Sequence, residues 1–224
     1  MRGIIIFFKK LASKLLSIFF NLRLFLAPNV FLKTEQYFYE RKIENMQKSS
    51  GYADFSKLLR SFIPPSVKVL DSGCNKGFET IIISKTNDVV GADLYSSFIR
   101  IAKKRGVEAY VMDFHNLSFF KEFDCVYSNN ILEHAQFPEK VVRGVNQSLK
   151  KGGLFIIGMP LDGYNLKIKD PAHFFRATEK NVIDLLKNEG FYINYKVIID
   201  TKQKWQWKIP SANNKLLVCV AKKF

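Results

Sequence analysis

A chain of 224 residues and 25.9 kDa, 47% apolar and 25% charged, has the balance of one sizeable globular domain plus an appendage, which excludes a wholly disordered or fibrous protein. Its three cysteines, Cys74, Cys125 and Cys219, are widely spaced and form no CxxC pair, which argues against a disulfide framework or a thiolate zinc site and suits a reducing cytosol. The net charge of +15 sits at the ends: residues 1–33 carry six Lys/Arg and no acid, residues 202–224 carry six and no acid, and the middle keeps only +3.

Basic ends fit an acidic partner, whether phospholipid, phosphorylated glycan or nucleic acid; the plainer alternative is solvated charge that keeps a chain with 21 Phe soluble. Residues 4–32 are rich in Ile, Leu and Phe, but Lys9, Lys10, Lys14 and Arg23 break the run well short of the about 20 apolar residues of a spanning helix. Lysines inside the apolar region, with no small-x-small site after it, fit a cleaved leader poorly. Lys10, Lys14, Ser17 and Asn21 follow at steps of 4, 3 and 4 and share one helical face. Ile5, Phe8, Leu11, Leu15, Ile18, Phe19 and Leu22 fall mostly away from it. The segment 1–33 therefore reads as a basic amphipathic helix, ended or bent by Pro28, that lies in an anionic lipid interface or packs on protein.

Residues 35–48 read as a helix with Thr34 as N-cap, and a second helix runs from Asp54 to Phe62, stopped by Pro64-Pro65. Then β-rich runs alternate with helical ones. The strands are 67–71, 88–93, 108–113, 123–129 and 154–160; the helices between them are 77–86, 95–105 and 138–150. This order implies a parallel sheet with helices on both faces, and the unbroken apolar runs VKVL, DCVY and LFII suit strands buried on both sides. After a longer connection, 161–177, Thr178 caps a helix that ends at Gly190. FYINYKVIID and KLLVCVAKK follow, joined by a basic stretch bearing Trp205 and Trp207, and pair as antiparallel neighbours.

The sharpest local signal is VLDSGCNKGFE, residues 69–79. A buried strand ends at Asp71, and a tight turn with Gly73, Asn75 and Gly77 leads into a helix. Ligands of open α/β sheets sit beyond the carboxyl ends of the strands, which is where this turn lies. Glycine lets backbone approach a ligand closely, and Asn tolerates the left-handed conformation next best. Asp93 ends the second strand 22 residues after Asp71, placed to accept both hydroxyls of a ribose. Asp113 and Phe114 end the third and suit an adenine, with carboxylate to exocyclic amine and ring to edge. A nicotinamide dinucleotide site would want G-x-G-x-x-G, whereas here the spacing is G-x-N-x-G with Phe78 where the third glycine would be. A nucleoside without phosphates fits better.

With these residues the chain resembles the class I S-adenosylmethionine-dependent methyltransferases of the broad small-molecule and glycan type (methyltransferase type 11-like), over residues 66–200 and, by position, the terminal strand. The family motif D-x-G-x-G-x-G stands here as Asp71-Ser72-Gly73-Cys74-Asn75-Lys76-Gly77. The resemblance implies a Rossmann-like, doubly wound α/β fold over residues 34–224: a mostly parallel seven-stranded sheet with an antiparallel last strand, preceded by N-terminal helices. It implies S-adenosylmethionine as cofactor, with the 71–77 turn on its methionine part, Asp93 and Leu94 at the ribose, and Asp113 and Phe114 at the adenine. By the same match Asn129 and Asn130 line the cofactor pocket, and Ile131 to His134 border the acceptor.

Methyl transfer from a sulfonium needs an aligned nucleophile, and an oxygen nucleophile needs a base. His134, after the fourth strand, leads as that base; His173, in the long connection, is second and Asp162 third. His115 reads as structural, and Cys74 as a small residue in a tight site rather than a nucleophile. No ligand cluster for a metal stands out. The function implied is methyl transfer to an oxygen of a small-molecule, glycan or lipid-linked acceptor, in the cytoplasm and at the inner face of a membrane through residues 1–33. The competing readings are an RNA methyltransferase and a non-catalytic membrane adaptor. SNNILEH is unlike the N-P-P-Y motif of many base-modifying enzymes and no appended RNA module stands out, which disfavours nucleic acid. The intact Asp71, Asp93 and Asp113 speak against an adaptor.

Overall fold

A computed structural model describes residues 50–161, 173–201 and 214–224. The basic segment 1–33, the helix expected over 35–48, Asp162 with most of the 161–177 connection, and the stretch bearing Trp205 and Trp207 lie outside the described residues.

Helix α1 (Ser50–Arg60) precedes strand β1 (Lys68–Ser72). Then come α2 (Phe78–Ile83), β2 (Asp88–Asp93), α3 (Ser96–Lys104), β3 (Glu108–Val111), β4 (Phe123–Asn129), α4 (Pro138–Ser148), β5 (Leu149–Leu161), α5 (Glu179–Asn188), β6 (Phe191–Thr201) and β7 (Asn214–Lys223). The seven strands form one sheet in the order β3-β2-β1-β4-β5-β7-β6. β3, β2, β1, β4 and β5 run parallel, and β7 is antiparallel to both β5 and β6. This is the expected mostly parallel, doubly wound sheet. The strand order reverses beside β1, so the carboxyl ends of β1 and β4 diverge there and leave a crevice.

Alternation along the central strands fills two apolar layers. Val69, Cys125, Tyr127, Ile156, Val218 and Val220 face α1. Leu70, Val126, Phe155, Ile157, Leu217 and Cys219 face α4 and α5. Phe55 and Leu59 anchor α1 at 3% and 0% exposure, each burial being worth about 1.5–3 kcal/mol. Gly158 in β5 makes that docking close, since a Cβ there would lie 2.3 Å from Leu59 Cδ1 and 2.8 Å from Phe55 Cζ.

Boundaries differ from expectation where tertiary partners decide. α1 starts four residues before Asp54 and stops at Arg60. β3 ends at Val111 rather than 113, because its sole ladder partner, β2, ends opposite it at Asp93. α4 ends at Ser148 and β5 begins at once, since Leu149 pairs with Phe123; the register then jumps to Cys125 opposite Leu154, so Lys150–Gly153 form a bulge. Thr178 caps α5 as expected, in a capping box with Asn181.

Candidate active site

The turn after β1 takes the backbone shape its sequence asks for. Gly73, Asn75 and Gly77 all have left-handed φ, at 85°, 52° and 79°. The Gly73 and Cys74 N–H groups donate to Ala92 O at 2.8 and 3.0 Å, which ties the turn to β2. The Asn75 N–H donates to Asp93 Oδ2 at 2.9 Å and the Tyr95 N–H to Asp93 Oδ1 at 3.0 Å. One carboxylate therefore clamps the glycine turn to the start of α3. With the Leu94 N–H as well, three of the about four acceptor positions of the carboxylate are engaged, so capacity for a further hydroxyl remains. Burial raises the Asp93 carboxyl above its ordinary range, opposed by the N–H groups of Tyr95, Asn75 and Leu94. Leu94 is 36% exposed beside it. Cys74 is buried with its sulfur against β2, where a Cβ on Gly91 would lie 2.8 Å from Sγ. Burial pushes its thiol far up, so it is inert as a nucleophile.

Asp71 lies beneath the turn at 2% exposure, and the Thr80 hydroxyl donates to its Oδ2 at 2.6 Å. Burial, with further contributions from Glu79 and Asp93, pushes its carboxyl up to about 7. Arg60 of α1 pairs with Glu79, and the Tyr127 hydroxyl donates to the same Glu79 Oε2 at 3.4 Å. A polar chain thus runs from α1 under the turn to the end of β4.

Asp113 caps a 3-10 turn, Phe114–Asn116, and does not end a strand. Its Oδ1 accepts from the His115 N–H at 2.8 Å and lies 2.9 Å from His115 Nδ1. Phe114 stacks on the His115 ring at 4.4 Å. The acid and the aromatic expected at the adenine are thus adjacent, with His115 bracing both.

At the end of β4 the Asn129 amide donates to Ser56 Oγ at 3.1 Å and Tyr127 Oη at 3.3 Å, while its Oδ1 accepts from Asn130 at 3.0 Å. Asn130 is left-handed, with φ 55°, and its N–H donates to Gly158 O at 2.7 Å. This reversal sends Ile131 over the glycine turn, so close that a Cβ on Gly73 would lie 2.1 Å from Ile131 Cδ1. A 3-10 turn, Leu132–His134, follows, with Leu132 and Glu133 both 1% exposed.

The two histidines named as candidate bases come together here. Their rings stand edge to face with centroids 5.1 Å apart, and His134 Nε2 lies 3.8 Å from Glu133 Oε1. The Phe175 N–H donates to Glu133 O at 3.0 Å, which fixes the His173 segment against this turn. Glu133 falls within the Ile131–His134 stretch expected to border the acceptor, but the sequence gives it no role of its own, since the approach of His173, 40 residues after it, is tertiary.

Residues 70–157 match the family model described as a methyltransferase domain. A solved S-adenosylmethionine-dependent methyltransferase from Methanosarcina mazei aligns with a TM-score of 0.63 at 21% identity, covering 75% of this chain and 97% of that one. The phosphoethanolamine N-methyltransferase 2 of Haemonchus contortus, solved with phosphomonomethylethanolamine and S-adenosylhomocysteine, aligns with a TM-score of 0.63 at 16% identity, over 77% of this chain and 53% of that one. An uncharacterised methyltransferase of Schizosaccharomyces pombe is 27% identical over 158 residues, 58% of this chain and 61% of that protein. An uncharacterised protein of Methanocaldococcus jannaschii is 32% identical over 115 residues, 47% of this chain and 56% of that protein. The chain spans about half the length of the curated relatives it matches. Residues 70–157 thus match a methyltransferase domain, and the sheet that contains them has the fold of the solved S-adenosylmethionine-dependent methyltransferase. No helix of the described residues is long and apolar enough to cross a membrane.

Proposed function

We propose that the protein binds S-adenosylmethionine in the crevice at the carboxyl ends of β1, β2 and β4 and transfers its methyl group to an oxygen of a small-molecule, glycan or lipid-linked acceptor. The observation that carries the reading is the Asp93 clamp: the strand-end carboxylate proposed for the ribose is held directly on the glycine turn through the Asn75 N–H. Phe78 opens α2, which is only six residues long, so the turn is poorly built to cradle a diphosphate and better suited to a nucleoside with a neutral or zwitterionic tail.

In the reaction the acceptor oxygen attacks the sulfonium methyl in line. The O–C bond forms as the C–S bond breaks, a neutral thioether leaves, and the acceptor's proton passes to His134 or His173. The protein's tasks are to align the oxygen about 3 Å from the methyl, exclude water and take the proton. The basic segment 1–33 gives the acceptor preference its direction, since anionic lipid or phosphorylated glycan complements it.

Calorimetry with S-adenosylhomocysteine tests the reading. The wild type binds it, and Asp93→Ala binds about 10–100-fold more weakly, the loss expected for hydrogen bonds to a charged group. His134→Ala or His173→Ala retains binding and loses about 10²–10⁴ in turnover. Uptake of NAD or ATP without any heat from S-adenosylhomocysteine overturns the proposal. Turnover equal to wild type in both histidine variants removes the base assignment.

A further inference from the structure

Glu133, His134 and His173 each offer one ligand atom, and these atoms all lie within 4.8 Å of one another. We infer that this triad is a binding site for a divalent cation of the zinc type, set at the acceptor end of the crevice. The inference rests on the methyltransferase reading for its role and deepens it. Its geometry stands independently.

The donor set comes first. Two imidazoles and one carboxylate are the ligands of open three-ligand zinc centres, whereas magnesium and calcium prefer oxygen throughout. Distances come second. The 3.8 Å between His134 Nε2 and Glu133 Oε1 is too long for a hydrogen bond. It is close to the edge of about 3.3 Å expected between ligands of a tetrahedral ion with bonds of about 2.0–2.1 Å. Burial comes third. The Glu133 side chain is 2% exposed, and a carboxylate that deep is stabilised by a cation at bonding distance. The main-chain bond from Phe175 to Glu133 O makes the third ligand part of a fixed turn rather than a chance neighbour.

The cysteines do not compete for the ion. All three are buried and burial holds their thiols protonated, Cys219 at about 12 and the other two higher.

Three protein ligands leave a fourth position open to water or to the acceptor hydroxyl. Ile131, next to the Leu132–His134 turn, lies on Gly73 and so sets the triad's turn beside the crevice proposed for the cofactor. With the ion bound, the two imidazoles would act as its ligands in place of the base role proposed above, and the ion would supply the activation instead, favouring loss of a coordinated hydroxyl's proton to solvent near neutral pH.

The test uses the full chain, freed of metal with a chelator. Zinc chloride and S-adenosylhomocysteine are titrated separately by calorimetry, and cobalt(II) is added to read coordination from its visible spectrum. The expected result is one zinc per chain and a tetrahedral cobalt spectrum. Glu133→Gln and His173→Ala should each weaken zinc binding at least about 100-fold, since even outer partners of a metal ligand cost about 10–100-fold. His173→Ala removes a partly exposed side chain and guards against a Glu133→Gln protein that misfolds. Wild-type chain that takes up no zinc while binding S-adenosylhomocysteine overturns the site, as does undiminished zinc binding in both variants. Zinc bound in the expected pattern without S-adenosylhomocysteine binding upholds the site and removes the methyl-transfer reading instead.

Discussion

The two corners of the crevice are built in opposite ways. The corner proposed for the cofactor is local: Asp71, Gly73, Asn75 and Gly77 lie within seven consecutive residues, and Asp93, at the next strand end, joins them by one hydrogen bond to a main-chain N–H. The corner proposed for the acceptor is assembled from distant parts, with Glu133 and His134 on a 3-10 turn and His173 brought to them from beyond β5 in the chain. Ile131, lying on Gly73, joins the corners. A site made of special backbone conformations must use particular residues in a row. A site made by packing need not leave any such row.

Gly73→Ala attacks the seam and has the largest expected effect. Its Cβ would collide with Ile131 Cδ1 at 2.1 Å, and its φ of 85° is unfavourable for any residue with a Cβ. Left-handed strain of about 1–2 kcal/mol and overpacking of about 1–3 kcal/mol together cost about 2–5 kcal/mol. Urea unfolding should register that loss, and calorimetry should find S-adenosylhomocysteine binding abolished. If the variant keeps cofactor affinity and loses only zinc affinity, the corners are not joined in the way described.

The same contrast explains what was legible beforehand. The sheet could be read because VKVL, DCVY and LFII are apolar on both faces, and the glycine turn because positive φ narrows residue choice. Asp93 could be read because its place follows from β1 and β2 alone. Asp113 was expected to end a strand; it caps a turn because β2 offers no further partner, a fact of sheet geometry absent from the local sequence. The bulge at Lys150–Gly153 depends on Leu149 finding Phe123, and the Asn129 bonds depend on where α1 docks. The burial of Glu133 leaves no mark in the sequence, because no periodicity marks a 3-10 turn, and yet it is almost complete.

A second prediction sharpens the description of the cofactor corner through pH. The Asp71 carboxyl is raised from 3.8 to about 7 in the folded protein. Between those values the native state holds a proton that the unfolded chain has released. Its contribution is therefore full below about pH 4, is lost as pH rises toward 7, and changes no further above that. The slope is about 1 kcal/mol per pH unit, on the order of 2 kcal/mol between pH 5 and 7. Asp71→Asn cannot ionise and still offers an oxygen to the Thr80 hydroxyl. Its stability relative to wild type should rise across that window, as measured by urea midpoints at the two pH values. Parallel curves for the two proteins would show that Asp71 is ionised in the fold and that the corner is wetter than its burial implies.

The smallest effect belongs to the support beneath the acceptor corner. Ser56 of α1 is 1% exposed and accepts from the Asn129 amide at 3.1 Å. Ser56→Ala removes that acceptor, but the same amide also reaches Tyr127 Oη at 3.3 Å, so it is not stranded. The cost is thus one modest hydrogen bond, about 1 kcal/mol, partly offset because Ala is the better helix former. Asn130 keeps its main-chain bond to Gly158 O at 2.7 Å, which sets the reversal leading to Ile131. S-adenosylhomocysteine and zinc affinities should therefore match wild type while the urea midpoint falls slightly. A variant with normal stability but weakened zinc binding would mean that the Asn129 side chain, rather than the left-handed Asn130, fixes the path to Glu133 and His134. The acceptor corner would then depend on how α1 is seated.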